Sequence, residues 1–489
     1  MPVDVSVVGS GPNGLAAAVL LVRAGLTVEV HEAAEEIGGG TRTASLFDDE
    51  VRHDICAIGH PLAAASPFFR WFGLAEHGVD LLRPEIAYAH PLGGDRAGLA
   101  YEDLDRTCDA LGADGPRWRR LLGPLAERSR ELADLLLGDL RHPPRDPRAA
   151  ALLPARIALL ASGSERRFFT GPEAPALLSG VSAHVMGRQP SLAAAGATLL
   201  LSHLAHSTGW PIARGGSQAI TEALAADLRA RGGRIHTGSR ITDLRTLAKS
   251  RTVVLDIAPR GFLEIAGDLL PPRYRKALES YRYGPGVAKV DFLVSEPVPW
   301  AAPEVGKAGT IHLGGTRDEV YAAENAIVRG EDPDDRFVLV SDPMTLDPSR
   351  GVPGKRPVWA YCHVPHGDPR DLTELVRRRI ERFAPGFSDT IVASRCVTAP
   401  ELEAYNANYP GGDVAAGAVD LRQVLGRPVA RWNPHRTPLG GVFLCSAATA
   451  PGPGVHGMGG WHAVKSVLGK DFESLIQIGV QRDGERPLR

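Results

Sequence analysis

The pattern that most constrains the fold of this chain lies at its N-terminus. Residues Val3 to Val8 are mostly apolar and β-branched, as in a buried parallel strand. The loop Gly9-Ser10-Gly11-Pro12-Asn13-Gly14 follows at once, and an apolar helical run extends from Leu15 to Ala24. Leu26 to His31 then predicts a second strand, which ends at Glu32. This order predicts the βαβ unit of a Rossmann-like α/β domain.

The three spaced glycines of the loop each have a physical role in holding a dinucleotide. Gly9 permits a tight turn, Gly11 lets the backbone approach a pyrophosphate, and Gly14 allows the helix to pack closely on the strand. The start of the helix offers free N–H groups and a partial positive charge to the phosphates. Glu32 lies where a carboxylate hydrogen-bonds the ribose hydroxyls. The segment therefore predicts a complete dinucleotide site.

The residues after the second strand indicate which dinucleotide is bound. Gly38-Gly39-Gly40-Thr41-Arg42-Thr43 resembles the Gly-Gly-x-x-Arg element of the glutathione-reductase-like flavoproteins, which include amine oxidases and phytoene desaturases. In that group the loop contacts the FAD phosphates and the arginine helps to neutralise them. The resemblance therefore implies FAD as the cofactor, with Arg42 at its phosphates.

A second glycine-rich loop lies near the other end of the chain. Gly441 to Cys445 predicts a strand, residues 446–460 form a loop rich in glycine and proline, and Trp461 to Leu468 has helical character. A helix that begins after such a loop again favours negative charge. In FAD oxidoreductases of this type the element lies under the isoalloxazine ring. The two loops together predict one flavin site built from both ends of the chain.

The middle of the chain is divided between two predicted domains. Trp210 to Leu244 resembles the return of such chains to the FAD domain, where Ile241 passes the adenine end. The predicted FAD-binding domain comprises residues 1–85, 207–264 and 431–489, and a mixed α+β substrate domain comprises 86–206 and 265–430. The predicted cofactor-binding residues are Gly9, Gly11, Pro12, Asn13, Gly14, Glu32, Gly39, Gly40, Thr41, Arg42, Ile241, Ala448, Gly454, Val455, His456, Gly457 and Met458.

The resemblance extends over nearly the whole chain. The sequence is similar to the phytoene-desaturase-related flavoproteins, and among them to the family of pyridine nucleotide-disulfide oxidoreductase domain-containing protein 2 and its bacterial relatives. This resemblance implies a glutathione-reductase-like fold and an FAD-dependent oxidoreductase. The segments that carry it are Gly9–Gly14, Gly209–Gln218, Gly284–Asp291, Trp359–His366, Glu381–Phe387, Asn406–Asp413 and Leu444–Gly460.

Composition and motif content argue against several other functions. The net charge of -2 is unlike the strongly basic balance of most nucleic-acid-binding proteins. The 5 cysteines are widely spaced without a CxxC pair, which argues against a disulfide scaffold, a zinc site or a dithiol redox centre. No second GxGxxG lies between a strand and a helix, so no nicotinamide domain is predicted. The expected electron acceptor is therefore oxygen, a quinone or another protein.

The chain is predicted to be a cytoplasmic protein. No apolar run is long enough to span a membrane, and the first strand begins at Asp4, which leaves no room for a targeting peptide. Leu121 to Leu140 is predicted to be helical with an apolar stripe. Such helices dock to membranes in the carotenoid desaturases, so peripheral membrane contact is left open beside the ordinary interpretation of a core-facing helix. The oligomeric state is not predicted.

Three side chains are the candidate catalytic residues. Lys289 lies in the strand-like run Val287 to Val294, and a similar strand of flavin amine oxidases carries a lysine that contacts the flavin N5 through water. The alternative is a surface lysine on an edge strand. His456 lies in the flavin loop, and His363 is predicted to form a polar wall of the substrate site instead of a metal site. Packing roles for both histidines remain alternatives.

The leading functional prediction is hydride transfer from an unidentified apolar or amine-bearing small molecule to the flavin, which performs the difficult step itself. One alternative is a flavin isomerase without net redox change. Another is a flavin-stabilised interaction or regulatory protein with a closed cavity. The fold alone does not decide among them.

Overall fold

The computed structural model describes residues 3–139, 141–475 and 477. The predicted domain segments also include residues 1–2, 140, 476 and 478–489, which lie outside the described residues. The strands are β1 (Val5–Val8), β2 (Val28–His31), β3 (Thr43–Ala44), β4 (His53–Asp54), β5 (Leu81–Leu82), β6 (Ile86–Gly93), β7 (Arg96–Tyr101), β8 (Ile212–Ala213), β9 (Arg234–His236), β10 (Thr252–Leu255), β11 (Gly286–Val294), β12 (Ala308–Leu313), β13 (Val338–Ser341), β14 (Arg356–Val364), β15 (Ile391–Val397) and β16 (Val442–Leu444).

Helices connect and cover these strands. They are α1 (Pro12–Arg23), α2 (Pro61–Ala65), α3 (Pro67–Phe72), α4 (Leu104–Ala110), α5 (Gly115–Ala126), α6 (Ser129–Leu136), α7 (Pro147–Ala151), α8 (Leu153–Ala161), α9 (Glu165–Phe168), α10 (Glu173–Ala183), α11 (Leu192–Ala205), α12 (Gln218–Ala230), α13 (Pro259–Ala266), α14 (Pro272–Glu279), α15 (Arg317–Val328), α16 (Thr373–Phe383), α17 (Phe387–Thr390), α18 (Ala399–Tyr405), α19 (Leu421–Gly426) and α20 (Met458–Leu468). No helix within the described ranges has the length and apolar character of a membrane span.

A parallel five-stranded sheet forms the first layer, in the order β16-β10-β1-β2-β9. Its strands come from three separated parts of the chain. Helices α1, α12 and α20 supply apolar side chains to the core beside this sheet. The predicted α/β class with a Rossmann-like domain is therefore confirmed.

A mixed seven-stranded sheet forms the second layer, in the order β15-β11-β14-β13-β12-β6-β7. Strands β12 and β6 pair in parallel, and the other neighbours pair antiparallel. Helices α5, α10 and α11 form a separate apolar core with β6 and β7. Because this sheet is built from segments that lie between parts of the first, the two layers are interleaved along the sequence.

The predicted continuous helix from Leu121 to Leu140 is wrong, since α5 ends at Ala126 and α6 begins at Ser129. Pro124 lies inside α5, and its ring nitrogen leaves the carbonyl of Arg120 without a helical donor. Arg156 of α8 supplies one instead, because its Nη2 donates to the Arg120 carbonyl at 3.0 Å. Leu140 lies outside the described residues.

Helix α1 is the central element of the first layer. All of its residues from Asn13 to Val22 are buried, which explains why the run is apolar on every side. Helix α20 crosses it so closely that a Cβ atom added at Gly460 would lie 2.3 Å from the Asn13 carbonyl oxygen and 2.7 Å from the Ala17 nitrogen. The Gly459 N–H also donates to Asn13 Oδ1 at 3.1 Å. These contacts join the two ends of the chain.

We predict that Gly460→Ala lowers the free energy of unfolding by about 1–3 kcal/mol, because its methyl group overlaps the α1 backbone. Gly196→Ala in α11 is the matched control, since no atom lies within 4 Å of the added Cβ. It should raise stability by about 0.4–1 kcal/mol. Urea unfolding followed by circular dichroism measures both. Equal shifts in the two variants would contradict the close crossing of α1 and α20.

Candidate active site

A cavity of about 720 Å³ lies at the carboxyl ends of the parallel strands and continues to the second sheet. Its volume is in the range of small-molecule and cofactor sites, and its position is where α/β folds bind ligands. Lys289, Trp359 and Tyr361 line it from the second sheet. The predicted cofactor-binding residues that line it are Gly9, Gly11, Pro12, Asn13, Glu32, Gly39, Gly40, Thr41, Arg42, Ile241, Ala448, Gly454 and Val455.

The first glycine loop folds against Asp256, which follows β10 directly. Gly9 has a φ of +98°, and a Cβ there would lie 2.7 Å from the Asp256 carbonyl oxygen. A Cβ at Gly11 would lie 2.8 Å from Asp256 Oδ2, and one at Gly14 would lie 2.2 Å from the Gly9 carbonyl oxygen. The Gly14 N–H donates to Asp256 Oδ2 at 2.9 Å. The loop is therefore restricted to glycine by its own packing, and Gly14 lies beneath the cavity lining.

Glu32 and Arg42 form a buried pair beside this loop. Glu32 Oε2 accepts from the backbone N–H of Ser10 at 2.9 Å and from its hydroxyl at 2.5 Å. The Arg42 guanidinium lies 3.5 Å from Glu32 Oε1 and donates to the carbonyl oxygens of Glu36 and Ile37. It also stacks 5.0 Å from the ring centre of Tyr405. Both side chains are thus fixed in orientation at the cavity wall.

A loop that follows α18 covers the Gly39–Thr41 turn. The Tyr405 hydroxyl donates to the Gly39 carbonyl at 3.2 Å. A Cβ at Gly40 would lie 2.1 Å from the Tyr409 hydroxyl oxygen, so only glycine leaves room for this tyrosine. The side chain of Asn408 donates to the Asp256 carbonyl at 2.9 Å. The Gly39–Thr41 turn and Asp256 are therefore held by the end of α18 and the loop that follows it.

His456 holds the C-terminal loop together from inside. It is fully buried, its Nε2–H donates to the Gly452 carbonyl at 3.1 Å, and its Nδ1 accepts from the Met458 N–H at 3.0 Å. Burial lowers the pKa of His456 to about 4, so the ring is neutral. Gly457, with a φ of +67°, packs on Phe68, and Met458 is buried where α20 begins. The structure places these three residues behind the cavity wall, and we assign His456 no direct catalytic role.

Lys289 is buried, with 2% of its surface exposed, and it is one of the residues that line the cavity. It forms an ion pair with Asp291 on the same strand, and Asp291 Oδ1 lies 3.2 Å from Nδ1 of His53. Burial raises the pKa of the Asp291 carboxyl, but Lys289 and His53 outweigh this effect and hold it below its usual value. Strand β11 lies between β15 and β14, so a surface lysine on an edge strand is excluded.

His363 lies outside the cavity lining, although it is on the same strand as Tyr361. Its Nδ1–H donates to both carboxylate oxygens of Glu324 at 2.8 Å, and its ring stacks on Phe337. The prediction that His363 forms a polar wall of the site is therefore not supported by its position. Among the described residues, no group of three or more His, Cys, Asp or Glu side chains is arranged to hold a metal ion.

The end of the cavity near the second sheet is mainly apolar. His184 lines this end of the cavity. Its Nε2 lies 2.9 Å from Nε2 of the buried His312, and burial lowers the pKa of His184 to about 3. The carboxylates among the described lining residues, Glu32, Asp256 and Glu264, come from the parallel-sheet layer. The other side chains at the apolar end include Ile58, Met186, Leu201, Trp210, Leu339, Trp359 and Tyr361.

Comparisons with known proteins agree with this architecture. A family model described as an NAD(P)-binding Rossmann-like domain matches residues 7–72. The mouse pyridine nucleotide-disulfide oxidoreductase domain-containing protein 2 is 24% identical over 96% of this chain and 94% of its own length. Hydroxysqualene dehydroxylase of Rhodopseudomonas palustris is 28% identical over 61% of this chain and 73% of its own length.

The fold is also shared with a solved enzyme structure. Putrescine oxidase bound to putrescine superposes with a TM-score of 0.56 and 17% identity, over 99% of this chain and 100% of that one. Together these comparisons support a flavin-type oxidoreductase of the phytoene desaturase-like type.

Several residues of the site in this oxidoreductase were not predicted from the sequence. Asp256 has a local signal, since it follows β10 as Glu32 follows β2. His53 and Asp291 lie in distant parts of the chain, and only the pairing of β4 and β11 with the rest of the fold brings them together. His184 ends α10 without a recognisable motif. These residues are defined by tertiary packing.

We predict that Lys289→Met lowers the free energy of unfolding by about 3–5 kcal/mol, because it leaves the Asp291 carboxylate buried without its ammonium partner. The double variant Lys289→Met/Asp291→Asn should recover most of this loss, since no charge is then left unpaired. Urea unfolding midpoints measure the difference. A single variant as stable as the unmodified protein would contradict the buried ion pair.

Proposed function

We propose that this protein is an FAD-dependent oxidoreductase that transfers a hydride from a neutral, apolar small molecule to the flavin. The observation that supports this function best is the single cavity lined by both glycine-rich loops and by Lys289. A dinucleotide bound along the carboxyl edge of the parallel sheet would have its reactive end at the apolar part of the cavity. The chemistry that a bound flavin supplies there is the removal of a hydride from the substrate.

The residues present fit an FAD molecule. The glycine loop exposes the start of α1 to a pyrophosphate, and Gly11 leaves no side chain between the loop and Asp256. Arg42 lies on the same wall and offers positive charge to the phosphates. Glu32 retains acceptor capacity for ribose hydroxyls beside its bonds to Ser10. Ala448 and Val455 line the wall next to the N-terminus of α20, which suits the polar edge of a flavin ring.

Lys289 is positioned to stabilise negative charge that develops during reduction. Its ammonium group is buried at the cavity wall and is held by Asp291 on one side and by the face of Trp359, with 5.9 Å between Nζ and the ring centre, on the other. A fixed cation in a site that excludes water acts strongly on nearby charge. An exchangeable proton on Nζ is also available for an oxygen or nitrogen atom placed in the cavity.

The charge distribution favours a neutral substrate over an amine. The lining carboxylates lie in the cofactor layer, while the charged side chain at the apolar end is the cation Lys289. A protonated amine at that end would lie beside the Lys289 ammonium, while Asp291, the carboxylate that pairs with Lys289, does not line the cavity. The name of the hydroxysqualene dehydroxylase relative also supports an apolar compound. The enzymatic activity named for the hydroxysqualene dehydroxylase relative favours redox chemistry over a purely flavin-stabilised interaction protein. The electron acceptor is proposed to be oxygen, a quinone or a protein.

We predict that the purified protein shows flavin absorbance and releases FAD on denaturation. Gly11→Val should abolish FAD binding, because its side chain would overlap Asp256 Oδ2 and displace the loop, and circular dichroism checks that the variant is folded. Gly196→Ala should retain a full equivalent of FAD. Absorbance after gel filtration in the presence of added FAD measures occupancy. A Gly11→Val protein that keeps its flavin would contradict the proposed cofactor position.

We predict that the FAD-loaded protein binds geraniol at least about tenfold more tightly than geranylamine at pH 7, a difference of about 1.4 kcal/mol. The two compounds share one hydrocarbon skeleton, but the amine is cationic and is repelled by Lys289. Perturbation of the flavin spectrum reports both dissociation constants. In Lys289→Met/Asp291→Asn the preference should shrink. Tighter binding of the amine would contradict a neutral substrate class.

A further inference from the structure

We propose that Asp256 takes up a proton when the dinucleotide binds at the glycine loop. The affinity for the dinucleotide then falls as the pH rises. This proton uptake is separate from the hydride chemistry. This inference rests on the proposed function, because it requires FAD to occupy that loop. It concerns a residue of the cradle and not the reacting end of the cavity.

Asp256 lies directly beneath the phosphate-binding loop. Its Oδ2 accepts the Gly14 N–H at 2.9 Å, and it lies 2.8 Å from the position of a Cβ at Gly11. The backbone of Asp256 is fixed from two sides, because its N–H donates to the Val8 carbonyl at 2.8 Å and its carbonyl accepts from the Asn408 amide at 2.9 Å. The backbone of Asp256 is therefore held at the loop, and the bond from Gly14 holds its carboxyl there.

The charges around Asp256 provide no compensation for an ionised carboxylate. Asp256 is 6% exposed. Two ionisable side chains interact with it electrostatically, Glu32 from the end of β2 and Cys445 from the end of β16. Arg42 and Arg260 line the same cavity but pair with other carboxylates. Arg42 pairs with Glu32, and Arg260 pairs with Glu403 and Glu264. Over the described residues, Asp256 forms no ion pair.

The free protein already holds this carboxyl near its ionisation point. Burial raises the pKa of Asp256 to about 7, the Gly14 N–H opposes the rise, and the Glu32 carboxylate adds to it. The Cys445 thiol beside it stays neutral, since burial and Asp256 raise its pKa well above the usual value. A carboxyl at this point of its titration responds to any new charge placed on the loop.

A pyrophosphate adds negative charge to the opposite side of the loop and raises the pKa of Asp256 further. Below the pKa that Asp256 has in the free protein, its carboxyl is protonated both in the free protein and in the complex, so binding takes up no proton. Above that pKa the free protein has lost the proton and the complex regains it. Linkage then weakens FAD binding by up to roughly tenfold for each pH unit.

The test is calorimetric titration of FAD into the full-length protein after removal of its flavin, from pH 6 to 9, in two buffers of different ionisation enthalpy. The unmodified protein should take up close to one proton at pH 8.5 and almost none at pH 6, and its dissociation constant should rise about tenfold between pH 7.5 and 8.5. A dissociation constant that is flat over this range, or equal heats in both buffers at pH 8.5, would overturn the inference.

Asp256→Asn separates this residue from other groups, because an amide oxygen still accepts the Gly14 N–H but carries no charge. It should show no proton uptake and bind FAD at least about tenfold more tightly than the unmodified protein at pH 8.5. Asp342→Asn is the matched control: Asp342 is a second buried aspartate whose pKa burial raises, it pairs with Arg356, and it lies outside the cavity. It should keep the original pH dependence.

The outcomes distinguish the two proposals. An Asp256→Asn variant with undiminished proton uptake would assign the proton to another group. If that variant does not fold, as judged by circular dichroism, the two-buffer result of the unmodified protein decides by itself. Protein that binds no FAD at any pH would reject the proposed function, and this inference with it. Protein that binds FAD without pH dependence would reject only the role of Asp256.

Discussion

The crossing of α1 and α20 is the contact on which the rest of the structure depends. Helix α1 is the first helix of the chain and α20 lies near its other end, yet Gly460 allows the two backbones to touch and Asn13 bonds the N–H of Gly459. Because both helices begin at glycine-rich loops, this one contact places the two loops side by side. The long intervening chain is then free to form a second layer, whose loops return to cover the first at Tyr405 and Tyr409.

The cavity is divided electrostatically along its length. Glu32 and Asp256 lie at the carboxyl edge of the parallel sheet, where bonds from Ser10 and Gly14 hold them. Lys289 lies at the other end and is balanced by Asp291, which is fully buried. In the proposed function, a dinucleotide that contacts both ends would have its ribose and phosphates among fixed hydrogen-bonding groups and its reactive ring beside a cation and apolar side chains. This division is the physical basis of the proposed preference for a neutral substrate.

The parts of this arrangement that sequence reasoning could predict are those with local causes. The positive φ of Gly9 and the contact of Gly14 with the Gly9 carbonyl are local, and the strand and helix patterns around them are periodic, so the loop and the α/β class follow from the sequence. The contacts of Gly9 and Gly11 with Asp256 are not local. His456 could not be placed, since its inward orientation depends on Gly452 and on the start of α20. The break after α5 depends on Pro124 and on a guanidinium from α8. The roles predicted for the individual cofactor-binding residues stay predictions.

The measurement that tests the central claim most directly is a crystal structure of the protein purified with its cofactor. The account predicts one FAD molecule, with its ribose at Glu32, its pyrophosphate over Gly11, and its isoalloxazine ring between Val455 and Lys289. A nicotinamide dinucleotide in the cavity, or a flavin whose ring lies at the Glu32 end, would contradict it.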